Sequence, residues 1–584
     1  MPIDINGENL DESHIDKLTI SGGSKKSMED SMPGGPEGES IAKGTFVILL
    51  ARIFGLACTF ITMNIALPRL MPEGNFGDFQ VLMSFVLAFE IALHYGLPAA
   101  VSKFIAEDRD FLGYFLTKGF KLQIWFSLIL FGISLVICPI ATLYFKADLR
   151  FALLFAFAMV DIPAYAMYNI RMSVLNGLRR FTKESYTVIW YNGTRTIMTV
   201  GGVWWAYSQG KPELMIFVAL LANLISSFIG LYWSVQYTKG VEGYREEKGM
   251  LQSIIRFITP NIIAMFVYQA LLKVDLWCVK GFITSGMPES KQALSDSILG
   301  SYAFAGLIAL IPSLLYHSLY PALFPTISYY LGQGDLRRVR NIITQATKAG
   351  FIVLLPISVA MCGTAKEIFL ILAGHKYDHA WIYLGVLVFS MAAYTLYLSA
   401  SIIIIASNHP EYPLKNVTGL LISAFVLNWL FMDLIPFNVF GTEDPQYFEI
   451  ARALAGPSVA IIVGLAGTWF FARWILKTYG VFAKISDIVR ISLAVIIPAP
   501  LLWIVNLAGI QTRFVQNYMA SNPDISTAPV FVKLTGWIGF GVIGEYLIYF
   551  FLYSILLFLF GAFDPDEKAK ILKLVRRILR IQIG

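Results

Sequence analysis

Charge is what this sequence lacks. Of its 584 residues only 14% are Asp, Glu, Lys or Arg and 57% are hydrophobic, whereas soluble domains carry roughly 25% charged residues. Mean hydropathy is +0.64, and a water-soluble fold is excluded. Cysteine is scarce as well. All four, Cys58, Cys138, Cys278 and Cys362, fall in apolar runs with no Cys-x-x-Cys pair and no histidine partner nearby, so neither a disulfide framework nor a zinc site is indicated. They read as buried structural thiols, and no cofactor or metal is expected. The first 42 residues also lack a basic segment leading into a short apolar core and cleavage site, so no conventional signal peptide is expected.

What is present is long apolar runs. A bilayer core about 30 Å thick needs roughly 20 apolar residues per helix, and only helices or closed barrels satisfy the backbone in lipid. Continuous runs, rather than a barrel's alternation, predict an all-α polytopic membrane protein. Fourteen spans are expected near 45–67, 79–101, 119–144, 151–172, 186–207, 213–236, 257–280, 296–324, 345–364, 380–406, 416–436, 453–476, 487–508 and 534–560. Residues 1–42, rich in Gly, Ser and Pro with nine Asp/Glu against three Lys, cannot bury a core and read as a disordered acidic tail. Residues 564–584 space Ile571, Leu574, Val575 and Ile578 helically among Lys568, Lys570, Lys573, Arg576, Arg577 and Arg580, which predicts an amphipathic helix lying on a membrane surface.

Charge orients the chain. Basic residues cluster after every even-numbered span, as with Arg179, Arg180 and Lys183 after the fourth and Arg337, Arg338 and Arg340 after the eighth. Only the loop after the tenth, with Lys415 alone, is weak. The opposite loops are poor in bases, and residues 437–451 are acidic. Under the positive-inside rule both termini are expected in the cytoplasm, and the membrane is expected to be the cytoplasmic (inner) one.

Several local patterns follow one another along the chain: Ala51-Arg52-Ile53-Phe54-Gly55 in the first span, Gly77-Asp78-Phe79, and Gly96-Leu97-Pro98-Ala99-Ala100-Val101-Ser102-Lys103 at the second. Later come Pro321-Ala322-Leu323-Phe324-Pro325, Gly332-Gln333-Gly334-Asp335 and Gly374-His375-Lys376-Tyr377-Asp378-His379-Ala380. In order and spacing, over some 330 residues, they resemble the multidrug/oligosaccharidyl-lipid/polysaccharide flippase superfamily, and most nearly its Wzx-type transporters of O-antigen-like or teichoic-acid-like polysaccharides. The resemblance implies two six-helix lobes, 43–250 and 251–480, facing each other across a central cavity, with residues 481–563 adding helices 13 and 14. Repeat-built transporters hold substrate near the midplane between repeats, often beside broken helices. Pro98, Pro163, Pro260, Pro312 and Pro356 each permit a kink, read equally as hinges or tolerated bends.

Ionisable residues at membrane depth cost at least roughly 2.5–3.5 kcal/mol on insertion scales and are functional candidates by default. Arg52 lies about 10 Å into the first span and Arg195 roughly 13 Å into the fifth, at 1.5 Å per residue. The guanidinium forks onto phosphate oxygens, and the resemblance implies that Arg52 matches the arginine lining the cavity for a lipid diphosphate. A snorkelling or helix-pairing role is its alternative. Arg195 reads as a second cavity cation or as the ion-pair partner of Asp161 or Glu90. Glu90 and His94, one turn apart, would suit a protonation relay or a buried hydrogen-bonded pair. Lys273 and Asp275, near the outer end of the seventh span, read as snorkelling, although Asp275 with Asn428 resembles the cation site of some related flippases. Glu545 would steer a lipid headgroup or pack the bundle. Trp190, Tyr191, Trp204 and Trp205 would stack on sugar rings, with Trp204 and Trp205 read equally as interfacial belt residues.

The function expected is a flippase, not an enzyme, moving a polyprenyl-diphosphate-linked oligosaccharide by alternating access, among membrane lipids and with polysaccharide polymerases or glycosyltransferases as partners. No nucleic-acid role is indicated. A cation-coupled multidrug exporter is the alternative within the superfamily. A membrane polymerase or glycosyltransferase is the competing class, though the longest outer loop, about 509–533, lacks histidine and paired carboxylates.

Overall fold

The computed structural model of the chain describes residues 41–94, 96–107, 112–178, 180–239, 250–317, 320–374, 376–377, 379–407, 409, 411–434, 445–502, 528–563 and 568. The acidic tail and the amphipathic C-terminal segment lie almost wholly outside these. Among the described residues the regular structure is helical, with no strand. The first half holds α1 (Val47–Leu70), α2 (Glu73–His94), α3 (Leu97–Glu107), α4 (Leu112–Tyr144), α5 (Leu149–Gly177), α6 (Phe181–Ser208) and α7 (Pro212–Thr238). Then come α8 (Met250–Leu271), α9 (Val274–Ile283), α10 (Glu289–Leu314), α11 (Tyr320–Gly332), α12 (Leu336–Gly363), α13 (Ala365–Ala373), α14 (Ala380–Ala406), α15 (Glu411–Leu434) and α16 (Tyr447–Tyr479), followed by α17 (Ile485–Leu502) and α18 (Ala528–Leu559).

Twelve of these helices are long and apolar enough to cross a membrane, and a thirteenth crossing is the bent pair α8–α9, whose axes differ by 54°. The protein is therefore a multi-pass membrane protein. The fifth expected span is α6, 28 residues long but rich in Thr, Gly, Tyr and Trp and so outside those thirteen. It packs along α1 and α7, and Gly55 admits it: a Cβ there would stand 3.0 Å from Asn192 Nδ2.

Helix boundaries differ from the expected ones where polar residues extend helices beyond the apolar run. The second span is shifted to α2, and residues 97–101 belong to the separate α3. The eighth expected span divides into α10 and α11. Pro98 and Pro312 sit in the first turn of a new helical segment, and Pro163 follows a break at Val160, where a missing N–H leaves no bond unmade. Pro356 and Pro260 stay inside helices. The sharp bend falls instead at Leu272–Lys273, without a proline.

The halves meet along α2, which packs on α5 in the first half and on α8 and α10 in the second. Small residues set this seam: a Cβ on Gly77 would lie 2.6 Å from Leu299 Cγ, and one on Gly300 would lie 2.6 Å from the Glu73 carbonyl oxygen. Asp78 pairs with Lys280 on α9. The Trp277 indole N–H donates to Ser84 Oγ at 2.7 Å and its ring stacks on Phe85 at 4.2 Å. At the same end two helix C-termini exchange caps. Arg69, closing α1, donates to the Leu372 and Ile371 carbonyls of α13 at 2.7 and 3.0 Å. Lys376, just after α13, donates to the Pro68 and Met71 carbonyls that end α1, with Tyr377 Oη donating to Pro68 at 3.2 Å. Free C-terminal carbonyls attract cations, so each half supplies what the other's helix end needs.

Gly300→Ala should lower the thermal midpoint in detergent, by about 1–3 kcal/mol of overpacking, because its methyl meets backbone. Gly306→Ala, which has nothing within 4 Å of the new Cβ, should leave the midpoint unchanged or raise it.

Candidate functional site

Between α2, α5, α6 and α7 the structure gathers a polar cluster inside the first half. Glu90 on α2 and Asp161, just after the break at Val160 in α5, are both buried, and their carboxyl groups come within hydrogen-bonding reach of each other. Asn223 on α7 donates its amide to Asp161 Oδ2. Ser227, one turn further on, lies beside Asp161, and Tyr165 and Tyr191 close the space. Tyr191 stacks on Tyr168 at 4.9 Å. Glu90 Oε1, Asp161 Oδ1 and Asn223 Oδ1 are buried without a hydrogen-bond partner.

Arg195 is within electrostatic reach of both carboxyls yet forms no ion pair with either, so the expected Arg195 pairing is only long-range. His94 does not serve Glu90. Its Nδ1 hydrogen-bonds Asn169 Oδ1 on α5 at 3.0 Å, so α2 sends its two ionisable groups to different partners. A second chain runs towards α1: Ser102 Oγ donates to Asn176 Oδ1 at 2.8 Å, and Asn176 Nδ2 donates to the buried Glu184 at 3.0 Å. Arg52 lies within electrostatic reach of Glu184 and His94. It is exposed, and among the described residues it makes no hydrogen bond or ion pair.

The second-half candidates fall elsewhere. Lys273 and Asp275 stand at the α8–α9 break, with α9 still to follow, so they are not near the end of the span as expected. Asp275 is buried and accepts a 2.7 Å bond from Tyr302 Oη and another from the Leu276 N–H, which rules out snorkelling. Asn428 is buried on α15, a helix that packs on both α8 and α9, and its Oδ1 has no partner. Glu545 on α18 lies close to buried Glu367 of α13, a packing contact between helices. Of the aromatic candidates only Tyr191 enters the cluster. Trp190 stacks on Trp233 at 5.3 Å, and Trp204 and Trp205 are exposed.

The sequence patterns of two families match this chain: one described as "Polysaccharide biosynthesis protein" over residues 41–331, and MatE over residues 291–430. The chain belongs to the multidrug/oligosaccharidyl-lipid/polysaccharide flippase superfamily. No curated protein matches it by sequence. Its fold is similar to that of a lipid II flippase, MurJ, in an inward closed conformation, with TM-score 0.59 and 17% identity over 89% of this chain and 99% of that one. It is also similar to an inward-facing multidrug resistance MATE family transporter, with TM-score 0.54 and 14% identity over 75% of this chain and 100% of that one. In this superfamily frame the residues that sequence reasoning missed are Asn223, Ser227 and Tyr165 of the cluster and Glu184 of the second chain. Asn223 had a signal, a lone amide in the apolar run Phe217–Ile225. The others had none.

Chemically, a contacting carboxyl pair can hold one proton or one small cation between its oxygens, and a buried amide orients it. Asn223→Leu should lower the thermal midpoint, by roughly 1–3 kcal/mol for the acceptor left unserved. Glu90→Gln, which keeps shape and relieves like-charge contact, should leave it unchanged or raise it.

Proposed function

We propose that this transporter is a flippase carrying a polyprenyl-diphosphate-linked oligosaccharide across the cytoplasmic membrane for surface polysaccharide biosynthesis. Both termini are cytoplasmic. Segments 43–250 and 251–480 act as two lobes that alternate access to a cavity between them, flanked by 481–563. The observation that carries this reading is Arg52: a guanidinium without an ion-pair partner among the described residues, in the first span of the segment 41–331 that matches the polysaccharide biosynthesis family. Such a group is too costly to leave facing hydrocarbon, and its planar fork suits a diphosphate.

In this reading the chain breaks no bond. Arg52 takes the diphosphate, Arg195 adds longer-range attraction, and Glu90 with Asp161 takes up and releases the coupling proton or cation. His94 is held out of that exchange by Asn169. Asp275 and Asn428 form a second, cation-binding candidate in the other lobe. Polymerases or glycosyltransferases of the same glycan are the expected partners.

Arg52→Ala should reduce export of a tagged surface glycan about ten- to a hundredfold, matching roughly 1.5–3 kcal/mol for a lost charged hydrogen bond, with Arg52→Lys intermediate and the exposed-face control Leu56→Ala unaffected. Export unchanged by Arg52→Ala would remove the phosphate contact. In liposomes, the purified protein should move a polyprenyl-diphosphate sugar and not ethidium-like cations against a proton gradient. The reverse outcome would make it a cation-coupled drug exporter.

A further inference from the structure

Away from the acid cluster, a cavity of about 430 Å³ opens where α4, α9 and α15 end. Its walls come from both halves: the turn after α4, the end of α9 with the turn that follows it, and the ends of α15 and α16 that face each other. Neither the acid cluster nor Arg52 takes part in it.

The cavity is built and rigid on one side. Arg452 on α16 donates from Nε to the Met432 carbonyl of α15 at 2.7 Å, from Nη2 to the Phe282 carbonyl of α9 at 3.3 Å, and from Nη1 to Glu449 at 2.7 Å. One guanidinium thus ties three walls together and spends its own charge on Glu449. An aromatic wall joins the halves: Tyr144 meets Phe282 edge to face at 5.4 Å, and both contact Phe425. The Tyr144 hydroxyl is buried without a hydrogen-bond partner.

The remaining charges are unspent. Lys146 and Lys291 line the cavity from opposite halves, and Asp433 lines it from α15. None of the three has an ion-pair partner among the described residues. Lys146 is, among the described residues, the one non-glycine with a left-handed backbone, φ 48°, a conformation costing of order 1–3 kcal/mol unless its surroundings enforce it. Here Lys146 N–H to Leu143 at 3.1 Å and Ala147 N–H to Thr142 at 3.0 Å enforce it.

Among the described residues, two ammonium groups without an ion-pair partner stand against one such carboxylate, a balance that favours an anion. A carboxylate beside aromatic edges suits ring hydroxyls and the apolar face of a sugar. The volume falls within the range of small-molecule sites and has room for a short saccharide. We propose that this cavity binds an acidic saccharide, with its carboxylate or phosphate between Lys146 and Lys291, its hydroxyls on Asp433 and its ring against Tyr144 and Phe282. The choice of a sugar rests on the flippase reading, and the site would take the glycan end of the cargo on the face that the acidic loop at 437–451 assigns away from the cytoplasm. A ligand bridging the two lysines also ties the two halves together at this end.

The test is equilibrium binding to the purified full chain in detergent, with trigalacturonic acid, neutral maltotriose and inorganic phosphate as probes. Trigalacturonic acid should bind at least tenfold more tightly than either of the others. The double variant Lys146→Gln/Lys291→Gln should lose at least tenfold, and Asp433→Asn less. If the double variant fails to fold, Lys146→Asn, which tolerates the left-handed backbone, and Lys291→Gln alone should each weaken binding severalfold. Equal binding by maltotriose, or no change in any lysine variant, would overturn the proposal, and phosphate binding as tightly as the acidic sugar would overturn its saccharide part. Failure here leaves glycan export through Arg52 as a separate measurement, so the two readings stand or fall independently.

Discussion

Every polar group that this chain carries into the bilayer must find its partner inside the bundle, because hydrocarbon offers none. α2 shows the consequence most fully. Four of its side chains are met by two other helices: Asp78 by Lys280 and Ser84 by Trp277, both of α9, and Glu90 by Asp161 and His94 by Asn169, both of α5. Two of these links run to the second half and two stay in the first. The arrangement of the remaining spans follows from this helix being held on both sides.

The links differ in strength and in purpose. A half-buried ion pair and an indole donor hold the halves at one end, where Arg69 and Lys376 also exchange helix caps. Those contacts are satisfied and local. The Glu90–Asp161 cluster is not satisfied: three of its buried oxygens lack partners. A polar site left incomplete inside a packed bundle is costly.

The recognisable motifs mark joints more than chemistry. Gly77 and Asp78 allow α2 to approach α10 and anchor α9, Gly55 admits α6, and the Lys376-Tyr377 pair caps α1. Close backbone approach and end-capping tolerate few residue types, which is why such positions leave a visible pattern. Asn223 and Ser227, which shape the acid cluster, sit in an ordinary apolar helix, where Asn223 leaves only the weak trace of a lone amide in a membrane run and Ser227 leaves none.

By itself, the sequence determined the solvent and the elements: apolar runs of membrane length are local properties, and each of the fourteen expected spans contains helix among its described residues. It also singled out Glu90, Asp161 and Arg195, because a charge at membrane depth is conspicuous wherever it points. Only the tertiary structure decided who meets whom. Asp161 faces an amide 62 residues away, His94 turns from its own-helix neighbour to Asn169, and Asp275 proves to be buried mid-span because the chain bends at Leu272–Lys273, where no proline announces it. Pairing depends on the packing of whole helices, and hydropathy, which sums along the chain, carries no information about which faces come together.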